Sequence, residues 1–440
     1  MSGSPFPALR LRRTEGLLDL PWEQPLADWP ETLGFRLLDV GPSRHLVRFL
    51  VVEGALLALK EEPIEVARRE YAVLGHLERV GLPAVKPIGV AEHAERGESI
   101  LVTEYLSQSL QFRRLLSRFP LGPGPYRTRL LDAMAWLLVD LHRGGVFWGD
   151  CSLANTLFRR DGDRIEAYLV DAETSEVHPS LSDGQRAYDL EILVENVGYG
   201  LADVAALQGR PEDMDQAIEA AEAVRATYRA VWAELHDEPA LPAGDRQAIR
   251  ARLRRLNELG YAVDEIAIEP GVGAGDRPEV RLKVTTSNRA FHAHQLERLT
   301  GLRALEGQAR VLLNDLREYV TWLRATQDPT VTEAAGARRW LANVVEPTLH
   351  RIQPAIGIRD PLQAYIDVLE HKWLLSERAH RDVGLEKAVQ AYLDVGAPAP
   401  EPATITGTYV VEPPGIEPPG IEPPGIEPRS PTIPVDDLVE

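Results

Sequence analysis

Between residues 35 and 60 apolar and polar positions alternate or fall into short apolar runs: F-R-L-L-D-V, then H-L-V-R-F-L-V-V, then A-L-L-A-L-K. Gly41-Pro42 and Glu53-Gly54 separate them, so the segment predicts an antiparallel three-strand meander. From Glu65 to Val80 the period changes, and Val66, Ala67, Tyr71, Leu74 and Leu77 recur at helical spacing. V-K-P-I-G-V and S-I-L-V-T-E-Y then predict two more strands, giving five strands with one helix inserted after the third. A long helical pattern from about Tyr126 to Arg143 leads into a polar turn, two short strands (T-L-F and A-Y-L-V-D), and helices from about Arg186 to His236. Around residue 241 the pattern changes again. A helix from Gly244 to Leu259 precedes a strand from Tyr261 to Ile268, a Gly/Pro-rich turn, a strand from Glu279 to Thr286, and helices through about Leu393. The fold class is therefore α+β, with a second, smaller α+β to mostly helical domain.

The expected divisions are an N-terminal extension (1–29), a first domain (30–240, dividing near residue 106), a second domain (241–396) and a tail from 397 to 440. The tail repeats E-P-P-G-I three times from Glu412. Such Pro/Gly-dense sequence cannot bury enough apolar area to offset its ordering entropy, so the tail is expected to be disordered, with a protein partner as its one conceivable role. At 440 residues the chain is long enough for two or three independent cores. Its apolar runs fall short of a membrane span, and the first residues lack the apolar stretch of a secretory signal. The single cysteine, Cys151, permits no internal disulfide and no cysteine-based zinc site, which fits a reducing cytoplasm. A formal charge of -19 argues against nucleic acid as a partner, although Arg250 to Arg255 form a local basic patch.

The strongest chemical signal is W-G-D-C-S-L-A-N, residues 148–155, followed by a strand, a turn and Val170-Asp171. Phosphoryl transfer to a hydroxyl needs one carboxylate to accept the proton of the nucleophile, and an amide oxygen with a second carboxylate to hold magnesium on the phosphates. Asp150, Asn155 and Asp171 have that spacing. Upstream, Lys60 ends a strand and Glu70 lies on the next helix, positions from which the two can pair while the ammonium grips a nucleotide. Singly, each has a plainer explanation: a strand-end charge, a solvated helix face, turn residues. The ordered set of five is what carries the reading.

With A-L-K at Lys60, R-E-Y-x-x-L around Glu70, L-V-T-E-Y-L, L-H-R-G-G-V-F-W-G-D-C-S-L-A-N-T-L-F and L-V-D, the segment from about 30 to 235 resembles the protein-kinase-like superfamily. It is most similar to the lipopolysaccharide-core (Kdo/heptose) kinases and the aminoglycoside-phosphotransferase type. The resemblance implies a two-lobed fold, with a five-stranded antiparallel small lobe and a mainly helical large lobe, and it implies ATP and Mg2+. By that resemblance Asp150 is the catalytic base, Asn155 and Asp171 are magnesium ligands, Lys60 is the phosphate clamp and Glu70 its orienter. Glu104, Tyr105 and Leu106 border the adenine, and Asp189, in R-A-Y-D-L-E, braces the catalytic loop. The turn D-V-G-P-S-R-H has one glycine where protein kinases have several, so phosphate contacts fall to Gly41 and Ser43, with Arg44 or His45 assisting. Trp148 stands where relatives have His or Arg, and Asp171 is followed by Ala172-Glu173, where Glu173 could add a metal ligand.

No activation segment with an A-P-E ending follows Asp171, which favours a hydroxyl on a sugar, glycan, lipid-linked or other small molecule over a protein acceptor. A catalytically silent nucleotide-binding scaffold and an AMP transferase on the same fold remain the alternatives. His142, on the helix before the catalytic loop, reads as a structural histidine, and Cys151 as packing. His292 and His294 would share a face only on a strand. The whole chain also resembles bacterial lipopolysaccharide-kinase-like proteins that carry an additional C-terminal domain.

Overall fold

The structure is a computed structural model that describes residues 7–398 apart from 13–15, 39–43, 113–114, 116–123, 208, 211–213, 243, 271–278 and 358. The small lobe is built from β1 (Ala8–Leu11), β2 (Leu46–Val52), β3 (Ala55–Pro63), helix α1 (Ile64–Arg79), β4 (Pro87–His93) and β5 (Glu98–Glu104). These strands form one antiparallel sheet in the order β1-β4-β5-β3-β2. Its fifth strand is not the expected one. Phe35 to Val40 does not become a described strand: Arg36 makes one isolated bridge to Phe49, Leu37 is 79% exposed, and Phe35 lies under the Arg48 guanidinium. The fifth position is taken at the opposite edge by β1, from the N-terminal extension. Residues 16–29 of that extension cover the sheet. Leu17, Leu20, Trp22, Leu26 and Trp29 are buried with Leu50, Leu57, Leu59, Ile100 and Val102, and the two indoles meet edge to face at 5.2 Å.

The large lobe comprises β6 (Ser109–Gln111), α2 (Pro125–Arg143), β7 (Val146–Phe147), β8 (Thr156–Asp161), β9 (Arg164–Leu169), β10 (Glu176–Val177), α3 (Asp183–Leu207) and α4 (Met214–His236). Leu130, Met134, Leu137, Leu138 and Leu141 recur every three or four residues along α2 and are buried against α3 and α4 through Leu193, Val197, Leu201 and Val224. This core holds still the loop between β7 and β8. At its entrance Gly145 has φ +72°, and a Cβ there would lie 2.1 Å from the His178 carbonyl, so only glycine fits.

The C-terminal part follows as β11 (Ala240–Pro242), α5 (Arg246–Glu258), β12 (Tyr261–Pro270), β13 (Glu279–Arg289), α6 (Phe291–Thr300), α7 (Glu306–Thr326), α8 (Glu333–Trp340), α9 (Glu346–Ile356), α10 (Pro361–Ala379) and α11 (Leu385–Asp394). The helix, strand, strand, helices order expected from the sequence is present. Asp245, Thr332 and Asp360 cap their helices by accepting from first-turn amides. Trp340 and Tyr365 are fully buried and both donate to Asp315 at 2.7 Å, so the polar handles of two large core residues share one acceptor.

This part grips the β8–β9 turn. The Asp161 carboxylate accepts from the Gly307 and Gln308 amides, both at 2.8 Å, and so caps α7 from across the fold. The Gln363 side chain both accepts from the Gly162 amide (2.9 Å) and donates to the Gly162 carbonyl (3.0 Å). Arg160 pairs with Asp367 and Glu370, while Arg289 lies between Glu166 and Asp140, the latter also receiving the Tyr261 hydroxyl at 2.6 Å. Among the described residues no helix is long and apolar enough to cross a membrane. At the start of the expected tail Ala397 is buried against Tyr392 and accepts from Arg359; residues 399–440 lie outside the described residues.

Candidate active site

Strand β3 runs into α1 at Pro63, which brings a residue of the strand's last turn of pleat opposite the second turn of the helix. Lys60 Nζ stands 2.9 Å from Glu70 Oε2, 3.1 Å from Asp171 Oδ2, 2.9 Å from Glu62 Oε2 and 3.7 Å from Glu173 Oε2. The expected Lys–Glu pair is therefore formed, and Asp171 joins it from the other lobe. Burial works against the Lys60 charge, but Glu70, Asp171 and Glu62 outweigh it and raise the pKa of the ammonium strongly. Burial, followed by the negative charge of Asp171, pushes Glu70 up despite Lys60, and burial does the same to Glu62. The two directions are consistent, because one cation cannot neutralise four carboxylates at once.

The loop of residues 148–155 is held from behind. Asp189 on α3 is fully buried and accepts from the Trp148 amide (2.7 Å), the Gly149 amide (2.8 Å) and the Cys151 thiol (3.4 Å). His142 Nε2 lies 3.1 Å from Asp189, and Nδ1 lies 2.6 Å from the Tyr228 hydroxyl. Burial lowers the His142 pKa, so the ring is neutral, with Nε2–H donating to Asp189 and Nδ1 accepting from Tyr228. It is a structural histidine that steadies the brace. Cys151 is buried, and burial followed by Asp189 pushes its thiol well above the usual range, which fits packing and not reactivity.

On the open side of the loop, Asn155 Nδ2 donates to Asp150 Oδ2 at 3.1 Å. An amide oxygen facing a carboxylate would be repelled, so this orientation leaves the Asn155 oxygen available for a cation. The Asn155 carbonyl accepts from the Val170 amide at 3.0 Å, tying the loop to the residue before Asp171, and the hydroxyls of Thr174 and Ser175 donate to the Trp148 carbonyl. An amide oxygen and a carboxylate are the hard oxygen donors that suit magnesium.

Of the residues expected to border adenine, Glu104 ends β5 and its amide donates to the Lys86 carbonyl, the Tyr105 amide donates to the Leu56 carbonyl, and the Leu106 carbonyl accepts from the Ser109 hydroxyl. These three also line a cleft of about 480 Å³ behind the hinge, with Arg159, Tyr168, Arg289 and Glu306, which contains neither Lys60 nor Asp150. Gly41 and Ser43 lie outside the described residues. His292 sits on α6 bonded to Glu306 and not to His294, so their pairing on a strand face does not arise.

Two residues escaped the sequence reading in part. Glu62 was not singled out, although strand alternation places it on the face of Lys60. His45, expected to assist the phosphate contacts, bonds Glu173 at 3.2 Å, a contact that the sequence did not point to.

A two-lobed fold in which Lys60, Glu70 and Asp171 cluster and a braced loop carries Asp150 and Asn155 has the arrangement of a protein-kinase-like domain. Residues 58–209 match the family described as Lipopolysaccharide kinase (Kdo/WaaP) family. Residues 230–395 match the family described as Domain of unknown function (DUF4032), an additional domain. The lipopolysaccharide core heptose(I) kinase WaaP of Pseudomonas aeruginosa is 24% identical over 140 residues, 30% of this chain and 52% of that protein. The chain thus spans about half the length of this curated relative. A solved structure, WaaP in complex with acyl carrier protein, aligns over 46% of this chain and 90% of that chain, at 18% identity and a TM-score of 0.31.

Proposed function

We propose that the protein is an ATP- and Mg2+-dependent phosphotransferase acting on a hydroxyl of a sugar, glycan or lipid-linked small molecule. The observation that carries this reading is the placement of Glu70 and Asp171 at 2.9 and 3.1 Å from the Lys60 ammonium, with the loop in which Asn155 donates to Asp150 tied to the residue before Asp171 by the Val170–Asn155 backbone bond. In this reading Lys60, oriented by Glu70, binds the nucleotide phosphates. Asn155 and Asp171 would hold magnesium, which supplies charge neutralisation on those phosphates. Asp150 is oriented by Asn155 and accepts the proton of the acceptor hydroxyl as it attacks, while Asp189 and His142 fix the loop without touching substrate. The match to a sugar-kinase family supports the acceptor class.

The test is transfer of labelled phosphate from ATP into a bacterial glycolipid and metabolite extract. Asp150→Asn is expected to lower turnover by about 10²–10⁴ while ATP affinity stays within about threefold. Turnover equal to wild type would remove Asp150 from its role. A product heavier by AMP in place of phosphate would reassign the chemistry to nucleotidyl transfer.

A further inference from the structure

We propose that His45, Glu62 and Glu173 form a second cation site, for a divalent transition metal ion, beside the phosphate pocket and distinct from the magnesium position at Asn155 and Asp171. Each residue offers one ligand atom, and the three atoms lie within 4.8 Å of one another, the one such grouping of His, Cys, Asp or Glu among the described residues. With metal–ligand bonds of about 2.0–2.2 Å, neighbouring donors around one ion stand about 3–3.5 Å apart. His45 Nε2 and Glu173 Oε2, at 3.2 Å, already have that spacing. A shift of roughly one rotamer's tip at Glu62 completes it.

Glu62 is the independent reason to expect an ion there. Its side chain is fully buried, Oε1 has no hydrogen-bond partner and Oε2 faces only the shared Lys60 ammonium at 2.9 Å, an arrangement that is costly for a carboxylate in a protein interior. The cation beside it, Lys60, is shared with Glu70, Asp171 and Glu173. Four carboxylates thus face one ammonium. Magnesium arriving with ATP brings phosphates that carry more negative charge than the metal neutralises, so the excess at Glu62 and Glu173 would stand uncorrected. A cation on these two residues removes it.

The donor set selects the ion. Magnesium favours all-oxygen shells, whereas an imidazole with two carboxylates suits Mn2+, Fe2+ or Zn2+. The position also gives the ion a task. His45 precedes β2 and Glu62 lies on β3, both in the small lobe, while Glu173 follows β9 in the large lobe. The ion therefore ties the lobes together across the cleft. It also draws Glu62 and Glu173 away from Lys60, leaving that ammonium to Glu70, Asp171 and the nucleotide.

The proposal needs no nucleotide and no acceptor, so its test is separate from that of the phosphotransferase reading. The full chain, free of nucleotide, is titrated with Mn2+ and followed by electron paramagnetic resonance. The expected result is one bound ion showing nitrogen hyperfine coupling from imidazole. His45→Ala should abolish the coupling, and the isosteric Glu62→Gln should weaken binding at least about tenfold. Asn155→Ala should leave both unchanged. Circular dichroism of each variant verifies its fold. Absence of Mn2+ binding by the wild type, binding without nitrogen coupling, or coupling that persists in His45→Ala would each overturn the site.

Discussion

Asp161→Ala tests whether the C-terminal part holds the β8–β9 hairpin in place. The carboxylate of Asp161 is 4% exposed and accepts two amides from the first turn of α7 at 2.8 Å. Truncation leaves both donors buried, and each unsatisfied buried donor costs about 1–3 kcal/mol. Against this, burial raises the Asp161 pKa, which means that the charged form is itself kept at a cost that truncation relieves. The balance is a loss of about 2–4 kcal/mol. Asp161→Asn retains one acceptor oxygen but turns an NH2 group onto the other amide, so it should lose about as much. Gly162→Ala approaches the same contact from the other side. Its Cβ would stand 2.5 Å from the Gly307 carbonyl, at a φ of +67°, so a further loss of about 1–3 kcal/mol is expected. Urea unfolding followed by circular dichroism and by tryptophan fluorescence measures all three, with two probes because a chain with several cores need not unfold in one step. Asp161→Ala or Asp161→Asn within about 0.5 kcal/mol of wild type would refute the reasoning.

Asp189→Asn presents an NH2 group to donors that now share a carboxylate. It should destabilise by about 3–5 kcal/mol and, in protein that folds, lower kcat for transfer more than it raises KM for ATP; an unchanged kcat would deny the brace its positioning role. Tyr261→Phe removes a buried hydroxyl from Asp140 and should cost about 1–2 kcal/mol in urea unfolding, with no loss denying that bond a structural role. The fold keeps His142 neutral below its unfolded pKa of about 6.5, so the unfolded chain binds the extra proton, and this contribution to stability is complete above about pH 6.5 and falls as pH drops below it. Melting temperature measured from about pH 8 to about pH 5.5 should therefore decline less steeply in His142→Gln than in wild type, and parallel slopes would show that His142 does not titrate as described.

Much of the candidate site was legible because its residues sit at the ends of elements whose periods are readable. Lys60 closes an alternating run, Glu70 lies on the next amphipathic helix, and Asp150, Asn155 and Asp171 flank two short strands. The small lobe's fifth strand was not legible. Phe35 to Val40 alternates as well as a strand does, but pairing depends on which edge is open, and Ala8–Leu11 fills the other edge with a shorter and less regular pattern. Trp22 and Trp29 are set among prolines without a period, so nothing local marks them as core; their burial arises from the sheet they cover. Glu62 was passed over because a carboxylate on a strand reads as solvent-facing, and its complete burial is a tertiary property.

The grip on the Asp161-Gly162 turn bears on what can be exchanged between proteins of this design. Asn155 and Asp171 lie on either side of that hairpin, so the spacing of the two proposed magnesium ligands is set partly by residues more than a hundred positions away. A kinase-like half separated from residues 240 onward would uncover Arg160, Asp161 and Glu166, strip Leu256 and Tyr261 from its core, and leave Asp140 without its hydroxyl partner. The two halves are thus poor candidates for shuffling as independent modules: a sequence change on either side of this seam must be matched on the other, and the pair is expected to be inherited together.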